Sequence, residues 1–204
     1  MDNSTFVTGR KLDADRLVIL FHYSHYIPTN IQYCVTQYIN GKAIAAIYYS
    51  IPATRWSDEV LELCRLVRSE ETDNKPTLTQ IISKSVNHIR QDNKYNLIVS
   101  FADSTHNHHG GIYQAASWNY HKLRKSCIDA FVIDGILVPR RTCNHRYGTS
   151  GLKLVKQLEE EGHVCTPHRD KGKHIYWKAL NRKGEQKAQK LGLTAEEYPK
   201  PDRV

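Results

Sequence analysis

An α/β fold with a mixed, mostly antiparallel central sheet flanked by helices is predicted by three observations. The apolar runs 31–39 and 42–49 meet across Asn40-Gly41, and the runs 130–133 and 136–138 bracket Asp134-Gly135. Both dipeptides suit a two-residue turn with positive φ at each position, so each pair of runs reads as an antiparallel hairpin. Between them, short apolar runs alternate with segments apolar at helical spacing, giving strand–helix–strand–helix order. The third observation is residues 97–101, Leu-Ile-Val-Ser-Phe, too brief for a helix and followed by a polar loop and Gly110-Gly111. Open α/β sheets bind ligands at such strand-to-helix junctions.

The remaining elements follow in order. Residues 1–12 are polar and read as frayed. Asp13 and Asp15 favour a helix through Tyr26 by complementing the macrodipole, although Val18 and Ile19 leave a strand open. Residues 59–68 alternate as a third strand, with Glu62 and Arg65 on opposite faces. Thr77 or Thr79 can cap a helix bearing Ile81, Ile82, Ser85, Val86 and Ile89. Residues 112–120 read as a helix with Tyr113, Ala116 and Tyr120 on one face. Ser150 caps an amphipathic helix that Gly162 ends, and residues 173–180 form the last strand. The expected organisation is a single domain over 1–180 and a basic C-terminal tail over 181–204.

Composition narrows the function. With 204 residues and 40% hydrophobic content the chain is large enough for a proper core. No apolar run approaches the ~20 residues of a membrane span, and the N-terminus has no apolar signal region. Five cysteines, an odd number with no C-x-x-C pair, fit a reducing cytoplasm better than a disulfide framework. The net charge of +8, concentrated in the second half, points to an anionic partner, nucleic acid first. A solvated basic surface is the plainer alternative.

Several residues carry chemistry. Asp103, at a strand tip, suits a proton acceptor or a group that hydrogen-bonds an amine; its structural alternative is a turn-capping aspartate. His22 and Tyr23 form a second candidate pair, the alternative being a half-buried pair on an amphipathic element. His106 and His108, with His22, could hold iron or zinc, since imidazole suits both metals. Solvated histidines touching phosphate or base are the other reading. Arg65 could clamp a carboxylate or phosphate, or pair with Glu62 or Asp103. Ser100 could bond a donor group, or be satisfied by backbone. Tyr113 is the candidate for stacking on a base, and Trp118 is expected in the core. Arg140, Arg141, Arg146, Lys171 and Lys173 are the candidate phosphate contacts.

The element order is similar to that of the GNAT acyltransferase fold. A sharper resemblance is to the Mom family of Mu-like phages. FADSTHNHHGGIYQAASWNY resembles that family's strand–loop–helix signature, and Phe21-His22-Tyr23-Ser24 before Pro28 its N-terminal His-Tyr motif. Residues 62–67, ELCRLV, and 172–177, GKHIYW, resemble two of its strands, so the resemblance spans residues 21 to 177. It implies transfer of a carbamoylmethyl group to N6 of adenine in double-stranded DNA, protecting phage DNA from restriction in the bacterial cytoplasm. It also implies acetyl-CoA or a related acyl donor, held by Gly110 and Gly111 and by Asn74, Lys75 and Thr77 at a helix start. The glycine-rich R/Q-x-x-G-x-G/A loop of GNAT proteins is absent between Val67 and Thr79. Two other classes stay open: an acyl-CoA-dependent N-acyltransferase acting on a small amine or RNA, and a non-catalytic basic DNA-binding protein. Oligomeric state, including a homodimer, is left open.

Overall fold

The computed structural model describes residues 4–28, 30–52, 59–69 and 78–199, without the side chains of His106 and Arg141. Among these residues the chain runs β1 (Ser4–Thr8), α1 (Leu12–Phe21), β2 (Ile31–Ile39), β3 (Lys42–Ser50), β4 (Val60–Arg68), α2 (Leu78–Asp92), β5 (Leu97–Asp103) and α3 (Gly111–Ala115). It continues through β6 (Asn119–Arg124), β7 (Ile128–Ile133), β8 (Ile136–Pro139), α4 (Arg140–Tyr147), α5 (Leu152–Glu160), β9 (Cys165–Arg169), β10 (Lys173–Ala179) and α6 (Arg182–Lys190). Two compact units gather from this chain: Met1–Phe101 with Gly110–Lys122 and Ile175–Val204, and Ala102–His109 with Leu123–His174.

The first unit is built on a sheet ordered β1-β2-β3-β4-β5-β10-β6 among the described residues. Neighbours from β1 to β4 are antiparallel, and β4 pairs with β5 in parallel. Asn40 and Gly41 both take positive φ in the β2–β3 turn, as the hairpin requires. β3 is buried along nearly its whole length, which its Ala-Ile-Ala-Ala-Ile-Tyr-Tyr run allows. α1 covers the sheet with Ala14, Leu17 and Val18 against Cys34, Ala46, Tyr48 and Val67. The strand alternative for this segment loses because its apolar positions recur at helical spacing. α2 sets Ile81, Ile82, Val86 and Ile89 inward, and Ser85 meets the Tyr49 hydroxyl at 2.7 Å.

Residues 181–199 carry α6 (Arg182–Lys190) and pack into the first unit. Ala188 of α6 and Leu193 join Val60, Leu97, Val99, Ile175 and Trp177 in one cluster. Asn181 caps α6 by accepting the Gly184 N–H at 3.0 Å. A Cβ on Gly184 would stand 1.9 Å from the Asn96 carbonyl oxygen, so glycine permits the close approach.

The second unit has its own antiparallel sheet, ordered β8-β7-β9, and its own core of Phe131, Ile133, Cys143, Leu154, Leu158 and Cys165. Asp134 and Gly135 form the expected turn with positive φ. The cap of α5 is Gly151, which has no side-chain bond to give, rather than Ser150.

The helix expected over 112–120 is corrected most. α3 ends at Ala115, Ser117 takes a left-handed φ of 56°, and Asn119 opens β6. A β-carbon residue in that conformation stops a helix. β1, α4 and β9 were also absent from the sequence reading. Among the described residues no helix is long and apolar enough to cross a membrane.

Candidate active site

β4 and β5 pair from Val60 and Leu97 to Leu63 and Ser100, and the register stops there. β4 continues to Arg68 and β5 to Asp103, so both strands run on past the last pair, Leu63 and Ser100. On its other edge β4 is bulged: Tyr48 pairs with Arg65 and Tyr49 with Leu63, leaving Cys64 as the extra residue. Bulges re-aim side chains beside functional sites.

Ser100 and Tyr113 meet where the ladder ends. The Ser100 Oγ is 2.9 Å from the Leu63 carbonyl oxygen and 2.8 Å from the Tyr113 hydroxyl. A carbonyl only accepts, so the one Ser100 proton goes to Leu63 and the Tyr113 O–H donates to Oγ. Burial pushes the Tyr113 phenol above its ordinary range, the Ser100 bond opposes this, and Tyr23, Glu62 and Cys64 add to the rise. It therefore keeps its proton at neutral pH. Burial, opposed by hydrogen bonding with Ser50 and assisted by the Glu62 charge, pushes the Cys64 thiol up to about 11. A thiol so high is a poor nucleophile.

His22 caps α1 and is buried, and its ring lies 4.3 Å from that of Tyr23. The Ser24 N–H donates to its Nδ1 at 3.1 Å, so the neutral ring carries its proton on Nε2. Arg65 does not clamp an acid among the bonds described: its Nε donates to the Tyr26 carbonyl at 3.1 Å and its Nη1 to the Cys64 carbonyl at 2.6 Å. Tyr113 does not offer a free ring to a base, because it is packed against Trp118 and Tyr176 at 5.3 and 5.2 Å. Trp118 is fully buried, as expected. Gly110 lies against Tyr176, so its lack of a side chain serves packing, and Gly111 begins α3. Asn74, Lys75 and Thr77 lie outside the described residues.

In the second unit Asp103 has a structural and an electrostatic role. Its carboxylate accepts the Thr105 N–H at 2.9 Å, capping the short 3₁₀ turn Ser104–His106, and meets Lys173 Nζ at 3.1 Å. Burial raises its pKa, but the Thr105 bonds and Lys173 outweigh this and hold it below the ordinary carboxylate value. Asp103 is thus ionised, and Lys173 is engaged with it rather than turned wholly to an outside phosphate. Asp170, 2% exposed, accepts from the Cys127 N–H at 3.0 Å, the Gly172 N–H at 3.1 Å and the Arg124 guanidinium, which fixes the turn leading into Lys173.

The metal expectation gains no support among the described residues. Among the described residues no three His, Cys, Asp or Glu side chains gather as a metal would need. His108 is exposed, and the His22 Nδ1 lone pair already accepts the Ser24 N–H. The His106 side chain is outside the described set. Of the phosphate candidates, Arg140, Arg146 and Lys171 are exposed, Arg146 over the Tyr147 ring at 6.0 Å. The Arg141 side chain is not described. Glu62 and the Cys64 bulge were not singled out as catalytic from sequence; the break in alternation at Cys64 was the available signal.

The fold is that of GNAT acetyltransferases, as solved structures show. A GNAT family acetyltransferase from Elizabethkingia anophelis with acetyl-CoA bound aligns with a TM-score of 0.51 at 13% identity, covering 88% of this chain and 99% of that one. A Bacillus subtilis acetyltransferase in complex with CoA aligns at 0.51 and 9% identity, covering 89% and 100%. An Escherichia coli ribosomal-protein alanine N-acetyltransferase aligns at 0.52 and 8% identity, covering 89% and 97%. A comparison with curated proteins by sequence gave no match. The chain belongs to the Mom protein family, whose family model matches residues 5–200.

Proposed function

We propose that this protein transfers a carbamoylmethyl group to the exocyclic amine of adenine in DNA, so that restriction enzymes no longer read the base. The observation that carries the proposal is the end of the β4–β5 ladder at Leu63 and Ser100, with Tyr113 beside it, in a chain of the Mom family. The residues there fit an acyl donor. Beyond Leu63 the main chain of β4 has no partner in register on β5, and an extended ligand can pair with such an edge as an added strand. That the E. anophelis and B. subtilis structures hold acetyl-CoA and CoA supports the same assignment.

The donor, when bound, would supply a methylene carbon bearing a leaving group, and the bond to that group breaks as the adenine N–C bond forms. The rest falls to the chain. The adenine amine is a weak nucleophile and loses one proton as its N–C bond forms. Glu62, one residue before Leu63, where the pairing with β5 ends, is the carboxylate for that proton. Tyr113 holds its own proton on the phenol oxygen and is the donor to a leaving group. Asp103 is a weak base because its pKa is lowered, which argues against it as the proton acceptor. Arg140, Arg141, Arg146 and Lys171 are the proposed phosphate contacts, each weak alone.

The test is mass spectrometry of nucleosides from cells expressing the chain, wild type and Tyr113→Phe, with urea melts as folding controls. An altered adenine that falls sharply in Tyr113→Phe supports the reading. Undiminished modification in that variant removes Tyr113 from it, and no altered adenine with the wild type overturns it.

A further inference from the structure

Large apolar side chains crowd one exposed segment of the first unit. Ile19, Leu20, Tyr23 and Tyr26 are 48%, 64%, 46% and 60% exposed within eight residues. A patch of this kind marks a surface that something covers. The chain holds it firmly. The His22 N–H donates to the Val18 carbonyl, and the His25 N–H to the His22 carbonyl. The His25 ring reaches the Ile19 carbonyl at 2.8 Å, with His25 itself at a φ of 46°. Arg65 completes the staple: the same guanidinium bonds the Tyr26 carbonyl and the Cys64 carbonyl at the β4 bulge. A charged donor spent on an exposed aromatic's backbone fixes that aromatic beside the β4 bulge.

Two further observations say what the patch meets. Arg65 ties the Tyr26 carbonyl to that of Cys64, the neighbour of Leu63, so the patch borders the end of the β4–β5 ladder. Arg16, one turn before Leu20 on the same face of α1, is 75% exposed on its side chain, and its pair with Asp13 is 3.7 Å long. An exposed pair of that length leaves the guanidinium able to exchange its partner for a phosphate.

Resting on the function proposed above, we infer that Tyr26, backed by Leu20 and Tyr23, is the wedge that enters duplex DNA where the target adenine leaves the stack. A base inside a duplex cannot reach groups held at a strand end, and extruding it breaks its stacking on both sides. An apolar or aromatic side chain inserted at the vacated step restores part of that stacking. Tyr113 cannot do this from within the core. Tyr26 can, because its ring is outside and its backbone is anchored.

The experiment uses the full chain with a pool of duplex oligonucleotides carrying 2-aminopurine, whose fluorescence rises on unstacking, at one position among randomised neighbours. Wild type and Tyr26→Phe should raise the fluorescence several-fold, while Tyr26→Ala loses most of the rise and keeps DNA affinity within about tenfold by anisotropy, since phosphate contacts supply most of that affinity. A full rise with Tyr26→Ala overturns the wedge. No rise with wild type also overturns it. In that case nucleosides from expressing cells decide the rest: altered adenine leaves the modification reading standing without the wedge, and its absence removes both. A Tyr26→Ala variant that turns a dimer into a monomer by sedimentation, with the fluorescence rise unchanged, assigns the patch to a second copy of the chain and overturns the proposal.

Discussion

Gly110 lies so close to Tyr176 that a Cβ on it would stand 2.2 Å from the ring's Cε2. Its φ of 85° is in the left-handed region as well, and the Tyr176 hydroxyl accepts from Gln114 Nε2 at 2.9 Å across the same junction. One glycine therefore lets α3 seat on β10.

Gly110→Ala combines overpacking with backbone strain and should cost about 2–4 kcal/mol. Thermal unfolding measures it, with an expected Tm fall of about 5–15 °C for a chain of this size. An unchanged Tm would mean that Tyr176 moves aside freely.

Tyr113→Phe removes the protonated donor beside Ser100 while keeping the ring. Modification should fall about 10²-fold or more if the phenol acts as a proton donor, and stability should change by only about 1 kcal/mol. Nucleoside digests and urea midpoints measured together separate the two effects.

Acid should weaken the fold through Asp103 and Asp15. Burial raises the Asp15 pKa, but bonds from Arg10 and Tyr48 outweigh it, and both carboxyls end below their ordinary value of 3.8. A lowered native pKa means the stabilisation is complete above the unfolded value and disappears as pH falls through the native one. Urea midpoints taken from pH 5 down to pH 2 should therefore drop below about pH 4. Asp103→Asn and Asp15→Asn should each flatten that drop.

Cys64, pushed up to about 11, stays a thiol at pH 7 and so carries no covalent intermediate. Cys64→Ala should change modification by less than about tenfold, and iodoacetamide should alkylate the wild-type residue slowly at neutral pH. Abolished transfer with the fold intact would point to a two-step reaction through the sulfur.

Asp170→Ala leaves Arg124, part-buried, without its carboxylate and two backbone N–H groups without an acceptor. The second unit should lose about 3–5 kcal/mol. Because this turn leads into Lys173, the acid dependence assigned to Asp103 should weaken in the same variant.

What was legible in the chain is what local patterns encode. Asn-Gly and Asp-Gly specify their hairpins because few other residues tolerate two positive φ values in succession. The apolar spacing of α2 and α5 reads directly as helix. β1 and β9 escaped because edge strands are half solvated and need little apolar content; β9 even holds Pro167, which an edge position tolerates. α4 escaped because Cys143 is its one fully buried side chain among those described.

By itself the sequence determined the fold class, the family resemblance and the segments from which a site could be drawn, since turn chemistry and hydrophobic period act over a few residues. Only the tertiary structure decided what each side chain does. Ser100 meets Tyr113 and the Leu63 carbonyl from separate elements, while Arg65 is spent on carbonyls and Asp103 on Lys173. Those outcomes depend on which polar groups burial leaves needing a partner, and pairing across such separations has no local signature.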